Sequence, residues 1–135
     1  MSRYSETIVE FQDRECLCQA LEGMGLTYTE HQELESLEDY LGNKRDITKA
    51  HIIVPRSNWP GQLVNDTGFE FKEDGTVACH VDDFFSKHGH REKFLHPLSQ
   101  RYAELKVKKT SARMRLRVSG EETLADGTRR IKLRR

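Results

Sequence analysis

Cys79, His80, His88, His90 and His96 fall within eighteen residues, with Asp82 and Asp83 between them. Thiolate, imidazole and carboxylate are the donors that hold zinc or iron. The spacing works against a compact site. Cys79 and His80 are neighbours in a strand-like stretch, so their side chains point to opposite faces. Cys79 shares its face with Val77 and Val81 and reads as a small core residue. His88-Gly89-His90 could chelate from a loop, but one pair does not complete a coordination shell. A metal-dependent function at His80–His96, with His88 and His90 as the candidate ligands, stays as an alternative. Solvated loop histidines are the simpler reading, and no metal or cofactor is expected.

The other reactive residue types carry less. Cys16 and Cys18 are about 200° apart on a helix, too far round to grip one metal or to bond to each other. Cys16 lies on the apolar face, and Cys18 is expected half exposed. Neither a nucleophile elbow G-x-S-x-G nor a phosphate-cradling G-x-x-x-x-G-K-[ST] or G-x-G-x-x-G occurs. Asp82 and Asp83 could do acid–base work if buried together, but adjacent carboxylates also make a polar strand end or a helix cap. No catalytic residue is assigned, and the chain is not read as an enzyme.

Charge patterning is the more telling feature. The whole chain has 22 basic and 22 acidic residues. Residues 1–43 hold ten acids against Arg3 and Arg14, while residues 101–135 hold twelve bases against four acids. Near the carboxyl end Met114, Leu116 and Val118 alternate on one arm of a hairpin, and Ile131 and Leu133 alternate on the other. With those turned inward, Arg113, Arg115, Arg117, Arg130, Lys132 and Arg134 share the outer face, with Lys106, Lys108 and Lys109 upstream. Such a face could attract phosphates. It lacks the aromatic residues on which bases stack, and it matches no known nucleic-acid module. It could equally be a solvated face that blocks edge-to-edge aggregation. The third reading is a protein partner, and the acidic run Glu30, Glu33, Glu35, Glu38, Asp39 of a second copy is one candidate. The oppositely charged ends either form separate patches or neutralise each other inside one molecule.

The elements that must position these residues follow from periodicity. Tyr4–Phe11 is strand-like. Asp13 is placed to cap a helix whose Cys16, Leu17, Ala20, Leu21 and Met24 repeat at one-face spacing, with Gly23 and Gly25 ending it. Leu26–Glu30 reads as a second strand, and His31–Asn43 as either a loop or a short helix. Ile47–Val54 is a buried strand stopped by Pro55 and the turn-forming Asn58-Trp59-Pro60-Gly61. Phe69 and Phe71 before Asp74-Gly75, then Val77, Cys79 and Val81, make a hairpin. Leu95–Lys109 is helical through Leu98, Tyr102 and Leu105, with Pro97 expected in the first turn. The last hairpin bends near Asp126-Gly127. The order β-α-β-β-β-β-α-β-β gives an α+β fold, a mainly antiparallel sheet with two helices on one face, ferredoxin-like with an extra hairpin.

The same residues resemble a known family. Ser2-Arg3-Tyr4-Ser5 followed by Ile8, then Leu17, Ala20, Leu21 and Gly25, open the match. Thr67-Gly68-Phe69, Gly75, Val81-Asp82, Phe84 and Phe85 continue it, as do Gln100-Arg101-Tyr102-Ala103, Glu121-Glu122, Asp126-Gly127-Thr128, Ile131 and Leu133. In order and spacing the chain is similar to the uncharacterised proteins of a conserved open reading frame in red-algal chloroplast and cyanobacterial genomes, with phage and bacterial relatives. His31–Asp46 is unmatched. The family usually has His-Phe-Ser where this chain has Arg3-Tyr4-Ser5, and often Gly-Phe where Met114 stands, so the resemblance is to a distant member. It brings no catalytic residue. It implies the same fold and a location inside the cell.

Size and composition bound the rest. A chain of 135 residues, 36% hydrophobic and 33% charged, is expected to form a single domain over residues 1–135. Three cysteines do not make a disulfide framework. No apolar run approaches the ~20 residues that span a bilayer, and Met1–Val9 lacks a signal-peptide profile. The expectation is a cytoplasmic interaction or adaptor module without membrane contact. It would use the basic hairpin and the acidic amino-terminal segment toward a protein, itself included. A nucleic-acid-binding domain using the same hairpin is the first alternative.

Overall fold

In the computed structural model the described residues are 4–59, 64–82, 90–113, 117–123 and 129–134. Among the described residues the elements are β1 (Tyr4–Val9), α1 (Arg14–Gly23), β2 (Thr29–Glu38), β3 (Lys44–Val54), β4 (Thr67–Phe71), β5 (Val77–Asp82), α2 (His90–Arg113), β6 (Arg117–Thr123) and β7 (Arg129–Arg134). A short 3-10 turn, Arg56–Asn58, follows β3. Among the described residues the order of helices and strands is the one the periodicity predicts. Five strands form one antiparallel sheet ordered β1-β5-β4-β3-β2, and β6 and β7 form a separate two-stranded sheet. β1 and β2 therefore lie at opposite edges. The fold is α+β, an antiparallel sheet with two helices.

Helix α1 starts and stops as its sequence dictates. The Asp13 carboxylate accepts the Cys16 N–H at 3.1 Å. At the other end Gly25 adopts φ +73°, and the N–H groups of Gly25 and Leu26 return to the carbonyls of Glu22 and Leu21. That is the paired closure available to a residue free to enter the left-handed region. Leu17, Ala20 and Leu21 on α1 and Phe94, Leu98 and Tyr102 on α2 pack with Ile52, Val54, Phe69, Val77, Cys79 and Val81 of the sheet. Both helices thus cover one face. Aromatic rings stitch the layer: Phe11 stands 5.0 Å from Tyr102 and 6.0 Å from Phe69, and Trp59 meets Phe94 edge-on at 5.8 Å.

Three expectations need correction. The acidic stretch from His31 is neither loop nor helix through Glu38 but the body of an edge strand, β2. Its alternation is hidden by a bulge. Glu30 faces Ile52 and Glu35 faces Ala50, so five steps on β2 match two on β3. Helix α2 begins at His90, which puts Pro97 inside it rather than in its first turn. Burial of Phe94 one turn before Leu98 outweighs the hydrogen bond that proline removes. Arg113 ends α2 and is not on the hairpin arm.

The sheet's other face carries a smaller cluster of Leu37, Ala50 and Ile53, against which Tyr4 packs. Leu37 and Ala50 crowd Gly68, where a Cβ would lie 2.5 Å from that of Ala50. The irregular β2–β3 arm thus lies over β4, and glycine at 68 leaves room for it.

Candidate functional site

The basic hairpin is described through its backbone. Arg117 faces Arg134, Val118 faces Leu133, Gly120 faces Lys132, Glu121 faces Ile131 and Glu122 faces Arg130, with a register shift after Val118. Positions 117, 130, 132 and 134 therefore fall on one face, and position 122 shares it. Arg115 lies outside the described residues. Of the six residues expected on this face, Arg113 instead ends α2, where it is exposed.

The upstream lysines do not extend this face as freely solvated cations. Lys106 and Lys109 both donate to the Asp13 carboxylate, at 3.1 and 2.8 Å, and Lys108 pairs with Glu104 at 3.2 Å. The Asp13 N–H also donates to the Tyr102 hydroxyl at 3.0 Å. Asp13 is held far below the usual carboxylate range, chiefly by Lys109 and also by the Cys16 N–H. The amino-terminal acids and carboxyl-terminal bases are therefore partly matched within one molecule, through Asp13 and α2. Elsewhere in the acidic run, Glu38 pairs with Arg56 at 3.0 Å, Glu30 accepts from the Cys18 thiol, and Asp39 accepts the N–H groups of Leu41 and Asn43.

Cys79 and His80 do not share a face of the sheet. His80 pairs with Glu70 at 2.9 Å on the uncovered face of the sheet, and Cys79 is buried on the opposite, helix-covered face. His96 is exposed, His90 starts α2, and His88 and Asp83 lie outside the described residues. Among the described residues no three metal-ligating side chains converge. Cys16, Cys18 and Cys79 are all buried. Cys18 departs from the half-exposed position expected for it. Burial, together with its hydrogen bond to Glu30, pushes its thiol up to about 12. Asp82 is buried and accepts the Asn65 N–H at 2.7 Å.

Sequence reasoning missed a polar clamp built around Asn65 and Asp66. One Asp66 carboxylate oxygen accepts the Glu38 N–H and the other the Arg56 N–H, each at 2.9 Å. The Asp66 N–H returns to the Glu38 carbonyl, Tyr4 donates its hydroxyl to the Asp66 carbonyl, and the Asn65 side-chain oxygen accepts the Tyr40 N–H. Asn65 is buried, and its Nδ2 has no hydrogen-bond partner among the described residues. Asn-Asp before a strand reads locally as turn chemistry, so nothing in the run 64–67 announces a buried clamp.

The clamp forms one wall of a cleft of about 460 Å³, also lined by Thr29, His31, Glu35, Lys44, Ile53 and Ser57. Among the described residues no helix is long and apolar enough to cross a membrane. No curated protein and no solved structure matches the chain. A family model described as a protein of unknown function, DUF1257, matches residues 20–132, and the chain belongs to that uncharacterised family.

Proposed function

We propose that this protein is a non-enzymatic interaction module that docks an acidic protein surface, a second copy of itself included, through the basic face of its carboxyl-terminal hairpin. Arg117, Arg130, Lys132 and Arg134 are the contacting residues, flanked by Arg113 and Arg115. What supports the reading above all is the register of β6 and β7, in which Arg117 stands opposite Arg134. Like charges directly opposite destabilise a strand pair, and an isolated two-stranded hairpin is only marginally stable. Anionic groups from outside the molecule would offset that repulsion. Glu122 stands opposite Arg130 and places one acidic position on the same face. We assign the module to the cytoplasm. Within its family we place it beside the plastid and cyanobacterial open-reading-frame proteins and their phage and bacterial relatives, on the shared residues given above.

Gel filtration with light scattering at low and high salt tests the self-association form. The expected result is a dimer or larger species at low salt that dissociates as salt rises and is abolished by Arg117→Glu with Lys132→Glu. A monomer at every ionic strength and at high concentration would remove that form. Tight binding of duplex DNA or RNA by the wild type, lost in the same double variant, would replace the protein partner by nucleic acid. Its affinity would then fall with salt by a log–log slope of about −0.9 per phosphate neutralised.

A further inference from the structure

The cleft between β2 and the Arg56–Asn58 turn stands apart from the hairpin and carries its own chemistry. We propose that it binds a small zwitterion of the amino-acid or dipeptide class, with Glu35 holding the ammonium group and Lys44 the carboxylate.

The argument starts from the walls. Asp66 has both carboxylate oxygens engaged by backbone N–H groups of Glu38 and Arg56. Glu38 and Arg56 neutralise each other at 3.0 Å. His31 Nε2 meets the Thr29 hydroxyl at 3.0 Å. Glu35 and Lys44 also line the cleft, are exposed, and form no ion pair with any described residue. The cleft therefore offers a ligand one anion and one cation. Lys44 stands opposite Glu38, three residues along β2 from Glu35, which separates the two backbones by on the order of 10 Å. Two flexible side chains reaching inward across that gap match a ligand with opposite charges a few ångströms apart. A singly charged ligand would satisfy only one of them. A metal ion does not suit the site, because no three ligating side chains converge among the described residues.

The volume, about 460 Å³, lies in the range of small-molecule sites and exceeds what one amino acid fills. Ile53 gives the cleft an apolar floor, and the Asn65–Asp66 clamp holds its walls in place without a ligand. A preorganised site loses less freedom on binding. Bulges are over-represented at sheet edges and next to functional sites, and the register shift between Glu30 and Glu35 lies beside this cleft.

Titration calorimetry and two-dimensional NMR on the full chain test this with four probes. L-alanine and glycylglycine carry both charges, while acetate and methylammonium carry one each. The expected result is saturable binding of a zwitterion, millimolar or tighter, with shifts at Thr29, His31 and Ser57 and at least tenfold weaker binding of both singly charged probes. Whichever zwitterion binds more tightly separates the amino-acid from the dipeptide source. Glu35→Gln and Lys44→Met should each weaken binding at least tenfold while leaving the melting temperature unchanged, since both side chains are exposed. Absence of saturable binding by either zwitterion would overturn the proposal. So would acetate or methylammonium binding as tightly as the zwitterions, or unchanged binding in either variant. None of these results bears on the hairpin, whose variants lie on β6 and β7.

Discussion

Replacing Gly68 by alanine tests the packing of the β2–β3 arm over the sheet. The added Cβ would lie 2.5 Å from the Cβ of Ala50 and 3.0 and 3.2 Å from the two methyl carbons of Leu37. Carbon atoms in good contact sit about 3.5–4.0 Å apart, so the overlap with Ala50 is about 1 Å. The Leu37 methyls can rotate away, but Ala50 Cβ moves only with its backbone. Ala50 is fully buried on β3, next to the residues that pair with β4. Overpacking of this kind costs about 1–3 kcal/mol. An unfolding entropy of about 2.1 cal/mol/K per residue over 135 residues converts that to a fall in melting temperature of about 4–10 °C. Thermal unfolding followed by circular dichroism reads it directly. Ala50→Gly removes the closest obstacle and alone costs roughly 0.5–1 kcal/mol in strand propensity. Combined with Gly68→Ala it should be less destabilising than the two single changes added. A Gly68→Ala protein melting within a degree of the wild type, or a strictly additive double variant, would refute the close approach.

Two further changes probe the joins. Asp13→Ala removes the α1 cap and the anchor for Lys106 and Lys109, and should lower stability by about 1–2 kcal/mol, mostly from the cap because the lysines are well exposed. The Asp13 carboxyl is depressed in the folded state. Its contribution is therefore full above the unfolded value of about 3.9 and disappears as pH falls through the folded value. Asp13→Asn should flatten the loss of urea stability between about pH 4 and 2, and a pH profile parallel to the wild type would contradict the pairing. The three cysteines should resist a thiol reagent at about pH 8 until the chain is unfolded. All are buried, and Cys18 is pushed up to about 12. Modification of the native protein at the rate of an exposed thiol would contradict this.

The correspondence between sequence and structure follows the range of the forces involved. Asp13, the one-face repeat from Cys16 to Met24 and Gly25 act within a few residues of one another, and α1 formed where they point. The Asp74-Gly75 hairpin did so too, with Gly75 at φ +88°. The start of α2 was misjudged because proline sets a local preference, while the burial of Phe94 against Phe69 and Trp59 is tertiary. β2 was hidden because its bulge erases the two-residue period that would have identified it.

The proposed sites divide the same way. Alternation in the linear chain is what points to Arg117, Arg130, Lys132 and Arg134 as one hairpin face, since period and composition are local properties. It could not decide that Lys106 and Lys109 reach Asp13, more than ninety residues away. Nor could it show that Asn65 and Asp66 would be buried against Glu38, Tyr40 and Arg56. Those outcomes rest on which strands become neighbours. Strand order is fixed by the shared burial of apolar faces across the whole chain, and that collective balance leaves no short-range mark for a polar residue to display.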